Sequence, residues 1–237
     1  WRLFFEGEQV YPEYLTDFNI LVCPSTRDAG PAVDIFDVRP ANAPTAKDQP
    51  DETRPDGTVL SGDGVIQPCE VMGAVPYTYL GWLFTDDMLR LPNMDVAMPA
   101  PLQPLAKNLM NLGARYGDTT KAARIAADSD FPFAEPMNGY ETGYRLREGI
   151  ERFLITDINN PAASAQAQST VPVQFDPAAP KARMFNHVPG GGNVVYLDGH
   201  VDFILFNNVA GRFPYNSAGI QMHRSNRGLN APAAPMP

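Results

Sequence analysis

Asn186-His187-Val188-Pro189-Gly190-Gly191-Gly192-Asn193-Val194-Val195-Tyr196-Leu197-Asp198-Gly199-His200-Val201-Asp202-Phe203-Ile204 reads as two β-rich runs joined by Asp198-Gly199. An Asp-Gly pair flanked by such runs is a strong short-range hairpin cue, because a two-residue type I′ turn needs positive φ at both central positions. That turn pairs Leu197 with His200, Tyr196 with Val201, Val195 with Asp202 and Val194 with Phe203. Since side chains alternate along a strand, Val194, Tyr196, Val201, Phe203 and Leu205 then share one apolar face. Asn193, Val195, Leu197, His200, Asp202 and Ile204 share a mixed one. A hairpin over residues 193–206 is therefore expected to bury the first face and present the second.

Gly190-Gly191-Gly192 is a poor phosphate cradle, for no helix follows it and no Lys-Ser/Thr closes it. His187, Asp198 and His200 are the candidate metal ligands, two imidazoles and a carboxylate suiting a first-row metal. His200 and Asp198 flank a tight turn, however, which strains convergence on one ion. The plainer reading is that His187, Gly191, Gly192, Asn193, Asp198, Gly199 and His200 are structural, fixing the hairpin and its lead-in.

Upstream, Val171 to Phe175 alternates through a proline and suggests an edge strand. Residues 162–168 suit a helical turn or two, and Tyr144 to Ile158 is ambiguous between helix and strand. Leu102, Leu105, Leu109 and Leu112 fall on one helical face that stops at Gly113, and Asp118 suits the N-cap of a helix from Thr119 to Ala127. Val75 to Phe84 is aromatic and β-prone. A helical turn is expected around Pro12-Glu13-Tyr14-Leu15, followed by an extended run from Phe18 to Cys23. Between about 27 and 63 the chain is acidic and proline-punctuated, a long surface loop by composition. It lacks the D-x-[DN]-x-[DN]-G spacing of a calcium hand, so calcium binding there has no motif to support it.

The 237 residues carry 24 prolines and 19 glycines, which suits a loop-rich chain and excludes coiled coils and long helical bundles. Hydrophobic residues make up 44%, enough to fold around a core. Eighteen basic against 27 acidic side chains give a net charge of −9, which argues against nucleic acid or an anionic membrane surface as partner. No apolar run is long enough to span a bilayer. A chain opening at Trp1 reads as a processed or trimmed product, and the proline-rich tail at 225–237 as a segment held by a neighbouring subunit. Cys23 and Cys69 each sit beside proline without zinc spacing. At this level they are equally two buried thiols or one bridge, which would stabilise by on the order of 3–4 kcal/mol.

His187, the glycine-rich link, Asn193-Val194 and Asp198-Gly199-His200-Val201 resemble the C-terminal signature of prepilin-type proteins with an H-X9-DG domain. Here ten residues rather than nine separate His187 from Asp198. Tyr11-Pro12-Glu13-Tyr14-Leu15-Thr16-Asp17, Cys23-Pro24-Ser25, Tyr77-Thr78-Tyr79-Leu80-Gly81-Trp82, Arg147-Glu148-Gly149-Ile150-Glu151-Arg152-Phe153 and Ile155-Thr156-Asp157-Ile158-Asn159-Asn160-Pro161 are similar to the same family. The resemblance covers about residues 9–204. It implies the α+β head of a type IV pilin or type II secretion pseudopilin: an antiparallel sheet, short helices and long Pro/Gly-rich loops, without the N-terminal stalk helix. That helix would be supplied upstream or by a separate chain, and the head would be one domain spanning 1–237. Its absence should leave an exposed apolar strip.

The resemblance further implies an extracellular, bacterial cell-surface protein that self-associates into a filament or pseudopilus and performs no catalysis. In that oxidising setting a Cys23–Cys69 disulfide is the expectation. No nucleophile or base has recognisable spacing, and no cofactor is called for. A secreted carbohydrate- or calcium-dependent adhesion module is the alternative, using the acidic 28–63 stretch with Tyr77, Tyr79 and Trp82. A metal-dependent hydrolase centred on His187 and His200 is the third.

Overall fold

In the computed structural model the described residues are 5, 7–26, 30–37, 65–66, 68, 71, 77–89, 108, 129–155, 161–178, 185–188, 190–206, 211–216 and 218–220. They belong to two compact units, one within Phe4–Tyr77 and the other within Thr78–Pro237. Apart from Asn108, the leucine-patterned helix expected over 102–112 lies outside the described residues, as do the Thr119–Ala127 helix, most of the acidic stretch, Cys69 and the tail. The Cys23–Cys69 pairing therefore lies outside them too, although Cys23 itself is buried.

The first unit is built from short helical pieces. Helix α1 covers Gly7–Val10, and Tyr14 N donates to Val10 O at 2.8 Å, which carries a helical turn through the expected Pro12–Leu15 region. Phe18–Leu21 is a 3-10 helix, not the extended run expected from its apolar composition. The Asp17 carboxylate accepts from Asn19 N at 2.9 Å and caps it, while Phe18 and Leu21, three apart, turn to the same buried side. Helix α2, Ala32–Phe36, sits inside the stretch expected as loop; the Asn19 side-chain oxygen accepts from Ala32 N at 3.2 Å and ties it down. Leu15, Phe18, Leu21, Ala32, Phe36 and Val71 form the core of this unit.

The second unit is a mixture of short helices and antiparallel strands. Strands β1 (Thr78–Tyr79), β4 (Pro172–Phe175), β5 (Gly191–Tyr196) and β6 (Val201–Leu205) form one sheet in the order β1-β4-β5-β6. Strands β2 (Phe131–Met137) and β3 (Tyr140–Gly143) form a separate ribbon joined by Asn138-Gly139, both at positive φ, as a two-residue type I′ turn requires. Helix α3 covers Asp86–Leu89 and α4 covers Pro161–Gln168. The ambiguous stretch near 150 is a 3-10 helix, Ile150–Phe153. Leu80, Leu83, Phe84, Met88, Phe131, Ile150, Phe175, Val194 and Tyr215 are among the buried side chains of the core. Trp82 is 3% exposed, with the Arg145 guanidinium 4.9 Å from its ring centroid, so it belongs to the core and not to a surface aromatic platform.

Strand β4 is not an edge, being paired with β1 on one side and β5 on the other. Its proline causes no conflict because Pro172 is the first residue of the strand and a register shift follows it. Among the described residues the edges of this sheet are β1, which pairs with β4 alone, and β6, which pairs with β5 alone.

The β5–β6 hairpin forms where the sequence places it, but one residue out of the expected register. Val195 faces Val201, Val194 faces Asp202, Asn193 faces Phe203 and Gly191 faces Leu205. Gly199 N donates to Tyr196 O at 2.9 Å and Tyr196 N to His200 O at 3.0 Å, which closes a three-residue loop, Leu197-Asp198-Gly199. Only Gly199 in that loop has positive φ, at 87°, the arrangement of a type I turn followed by a left-handed glycine bulge. A slip of one residue exchanges the faces of one strand relative to the other. Val194 and Tyr196 are buried as expected, but Val201, Phe203 and Leu205 are turned outward, 59%, 48% and 62% exposed, while Ile204 is buried.

Candidate functional site

The polar side chains of the hairpin lead-in converge on the carboxylate of Asp176, whose side chain is fully buried. Asp176 follows the last residue of β4, and β5 passes directly beside it. Its Oδ2 accepts from Asn193 N at 2.9 Å and from the Asn193 side-chain amide at 3.2 Å, while Oδ1 accepts from Asn186 Nδ2 at 3.3 Å. His187 Nε2 lies 3.0 Å from the same Oδ2 and, carrying its proton there, donates to it. The Asp176 backbone takes part as well: its N donates to Asn193 O at 3.1 Å and its O accepts from the Tyr215 hydroxyl at 2.7 Å. A buried carboxylate needs this many donors to offset its lost hydration.

The glycine at 192 belongs to the same knot. A Cβ there would collide with the Tyr215 hydroxyl and lie 2.7 Å from Asp176 Cβ, so only glycine lets β5 run this close. His187 also bridges to Gly191 and sets its ring edge-on to Phe203, with 5.9 Å between centroids. Asn186, His187, Gly192 and Asn193 thus act together, pinning the start of β5 to the end of β4.

Asp198 and His200 sit at the other end of the hairpin. Asp198 Oδ1 accepts from His200 N at 3.1 Å and lies 2.6 Å from its ring Nδ1. The side-chain hydrogen bond from His200 holds the Asp198 carboxyl below the usual carboxylate range. The His200 ring stacks on Tyr196 at 4.4 Å between centroids. From Asn193, which His187 touches, to Asp198 is five residues of strand and turn, a separation on the order of 10–15 Å. The structure therefore brings Asp198 and His200 together, and His187 to Asp176, but does not gather the three candidate ligands around one point.

Along the outside of the hairpin runs a strip formed by Val201, Phe203 and Leu205 of the edge strand, with Val195 beside Val201. It continues across the sheet through the partly exposed Gln174 and Tyr79. Of the residues that matter here, the sequence reading misses Asp176, Tyr215 and Arg212. Arg212 donates to the Tyr196 hydroxyl at 2.7 Å and lies 3.5 Å from Asp202. Burial pushes the Tyr196 phenol up, against the pull of Arg212. The available signal for Asp176 is its place just after the β4 run, opposite Asn193 in the sheet.

No helix among the described residues is long and apolar enough to cross a membrane. No protein-family model, curated protein or solved structure matches the chain.

Proposed function

We propose that the chain is the extracellular head of a type IV pilus-like or pseudopilus filament subunit, a structural protein of the bacterial cell surface without catalytic activity of its own. The observation that carries this reading is the apolar strip on the exposed edge of an antiparallel sheet. An edge strand ordinarily carries charge, proline or a bulge against unwanted pairing. β6 instead places Val201, Phe203 and Leu205 in solvent on its outer side, with its single charge, Asp202, on the opposite side. The resemblance in residues 186–201 accounts for this: the strip is where an apolar stalk helix packs in the filament. The latch between His187 and Asp176 keeps the strip rigid, so binding does not have to order it.

Electron microscopy of surface fibres from the bacterium that makes the chain, labelled with antibody to this head, tests the proposal. Label along the fibres supports it, and recovery of the chain only as a secreted monomer contradicts it.

A further inference from the structure

The second unit contains a cavity of about 650 Å³ that neither the hairpin latch nor the apolar strip uses. We propose that it is a binding site for a neutral sugar of one or two rings. Its volume falls within the roughly 300–1,000 Å³ of small-molecule sites. The cavity exists because α4 turns alanines toward it: Ala163 and Ala167, one helical turn apart, supply almost no bulk where Phe153 and Leu154 form the facing wall. Larger side chains at those two positions would fill it.

The lining selects the ligand. Asp86 and Asp87 supply acceptors, Gln166 both functions, and Arg212 donors, while Phe153 is 53% exposed at the rim. Two walls are fixed in place: Asp86 accepts from Phe213 N at 2.9 Å, and Arg212 is held by Tyr196 and Asp202. An anion meets two carboxylates here, and a cation meets the guanidinium of Arg212. A neutral polyol meets neither obstacle, since each hydroxyl both donates and accepts and so pairs with carboxylate, amide and guanidinium alike. Its C–H groups would meet the exposed part of Phe153, a ring that stacking on Tyr144 at 4.3 Å between centroids holds in place. An apolar ligand would take solvent from Asp87, Gln166 and Arg212 without offering them hydrogen bonds, which is costly.

Saturation-transfer NMR on the full chain tests this, with N-acetylglucosamine, methyl galactoside and cellobiose as probes and spermidine and inorganic phosphate as controls. At least one sugar is expected to show ring C–H saturation, with affinity weakened about tenfold or more in Asp87→Ala and in Ala163→Phe. Asp87 is exposed, so its variant keeps the fold, and a thermal melt checks the second. Failure of every sugar at about 10 mM, unchanged affinity in Asp87→Ala, or binding of spermidine or phosphate in place of sugar overturns the proposal.

Discussion

His187 Nε2, in the lead-in to β5, stands 3.0 Å from the buried carboxylate of Asp176, the residue that follows β4. This contact explains why a histidine precedes the glycine-rich link at all: it is one of four donors around a carboxylate with no exposed surface. Removing the acceptor takes from Asn193, Asn186 and His187 the carboxylate on which they converge, so Asp176→Ala should destabilise the fold by about 3 kcal/mol. His187→Ala, which removes one donor from a partly exposed position, should cost about 1 kcal/mol. Urea unfolding followed by tryptophan fluorescence measures both. Equal costs would contradict the ranking.

Gly192→Ala should cost about 1–3 kcal/mol, because its Cβ enters the space of the Tyr215 hydroxyl. Tyr215→Phe deletes that hydroxyl and its bond to Asp176 O. The two changes together should therefore cost less than their sum, with a coupling of about 1 kcal/mol in a double-mutant cycle. Strict additivity would show that the tyrosine does not set the limit.

Thr78 presents the opposite case. Its hydroxyl is buried and has no hydrogen-bond partner among the described residues. Thr78→Val keeps the shape and removes an unsatisfied polar group, so it should raise stability by about 1 kcal/mol. A fall in the urea midpoint would mean that the hydroxyl has a partner.

How far the sequence reaches is clear from the hairpin. Asp198-Gly199 marks the turn, and the alternation on either side marks the strands. The same dipeptide serves a two-residue and a three-residue loop, however, and only backbone geometry decides that Leu197 joins the loop. That single residue sends Val201, Phe203 and Leu205 outward instead of inward. Asn138-Gly139 is an equally strong turn cue, but Pro132 and Pro136 obscure the strand before it. Phe18 to Leu21 looks extended because apolar composition says nothing about the cap that Asp17 provides. The partners of Asp176 were beyond reach for another reason, since they come together only when β4 and β5 pair.

Acid sensitivity should come from carboxylates held in their charged form. The hydrogen bond from Arg147 keeps the Asp130 carboxyl below its ordinary 3.8, with Arg147 Nη1 at 2.8 Å. A carboxylate with a depressed pKa stabilises the fold above its unfolded value and loses that contribution as pH falls through the folded one. The melting temperature should thus decline as pH drops below about 4, with a shallower decline in Asp130→Asn. Because this pair is at the surface, added salt should weaken the difference. An identical acid profile in Asp130→Asn would contradict the assignment.

Under the proposed function, Val201, Phe203 and Leu205 form the assembly face of a filament head. The most direct measurement is fibre formation in cells carrying Phe203→Asp, scored by electron microscopy with antibody to the head. Phe203 is half exposed and outside the core, so the isolated variant should unfold within about 0.5 kcal/mol of wild type. Labelled fibres are expected in wild-type cells, and their loss in the variant while the head remains folded. Fibres of normal number and labelling in Phe203→Asp cells would contradict it.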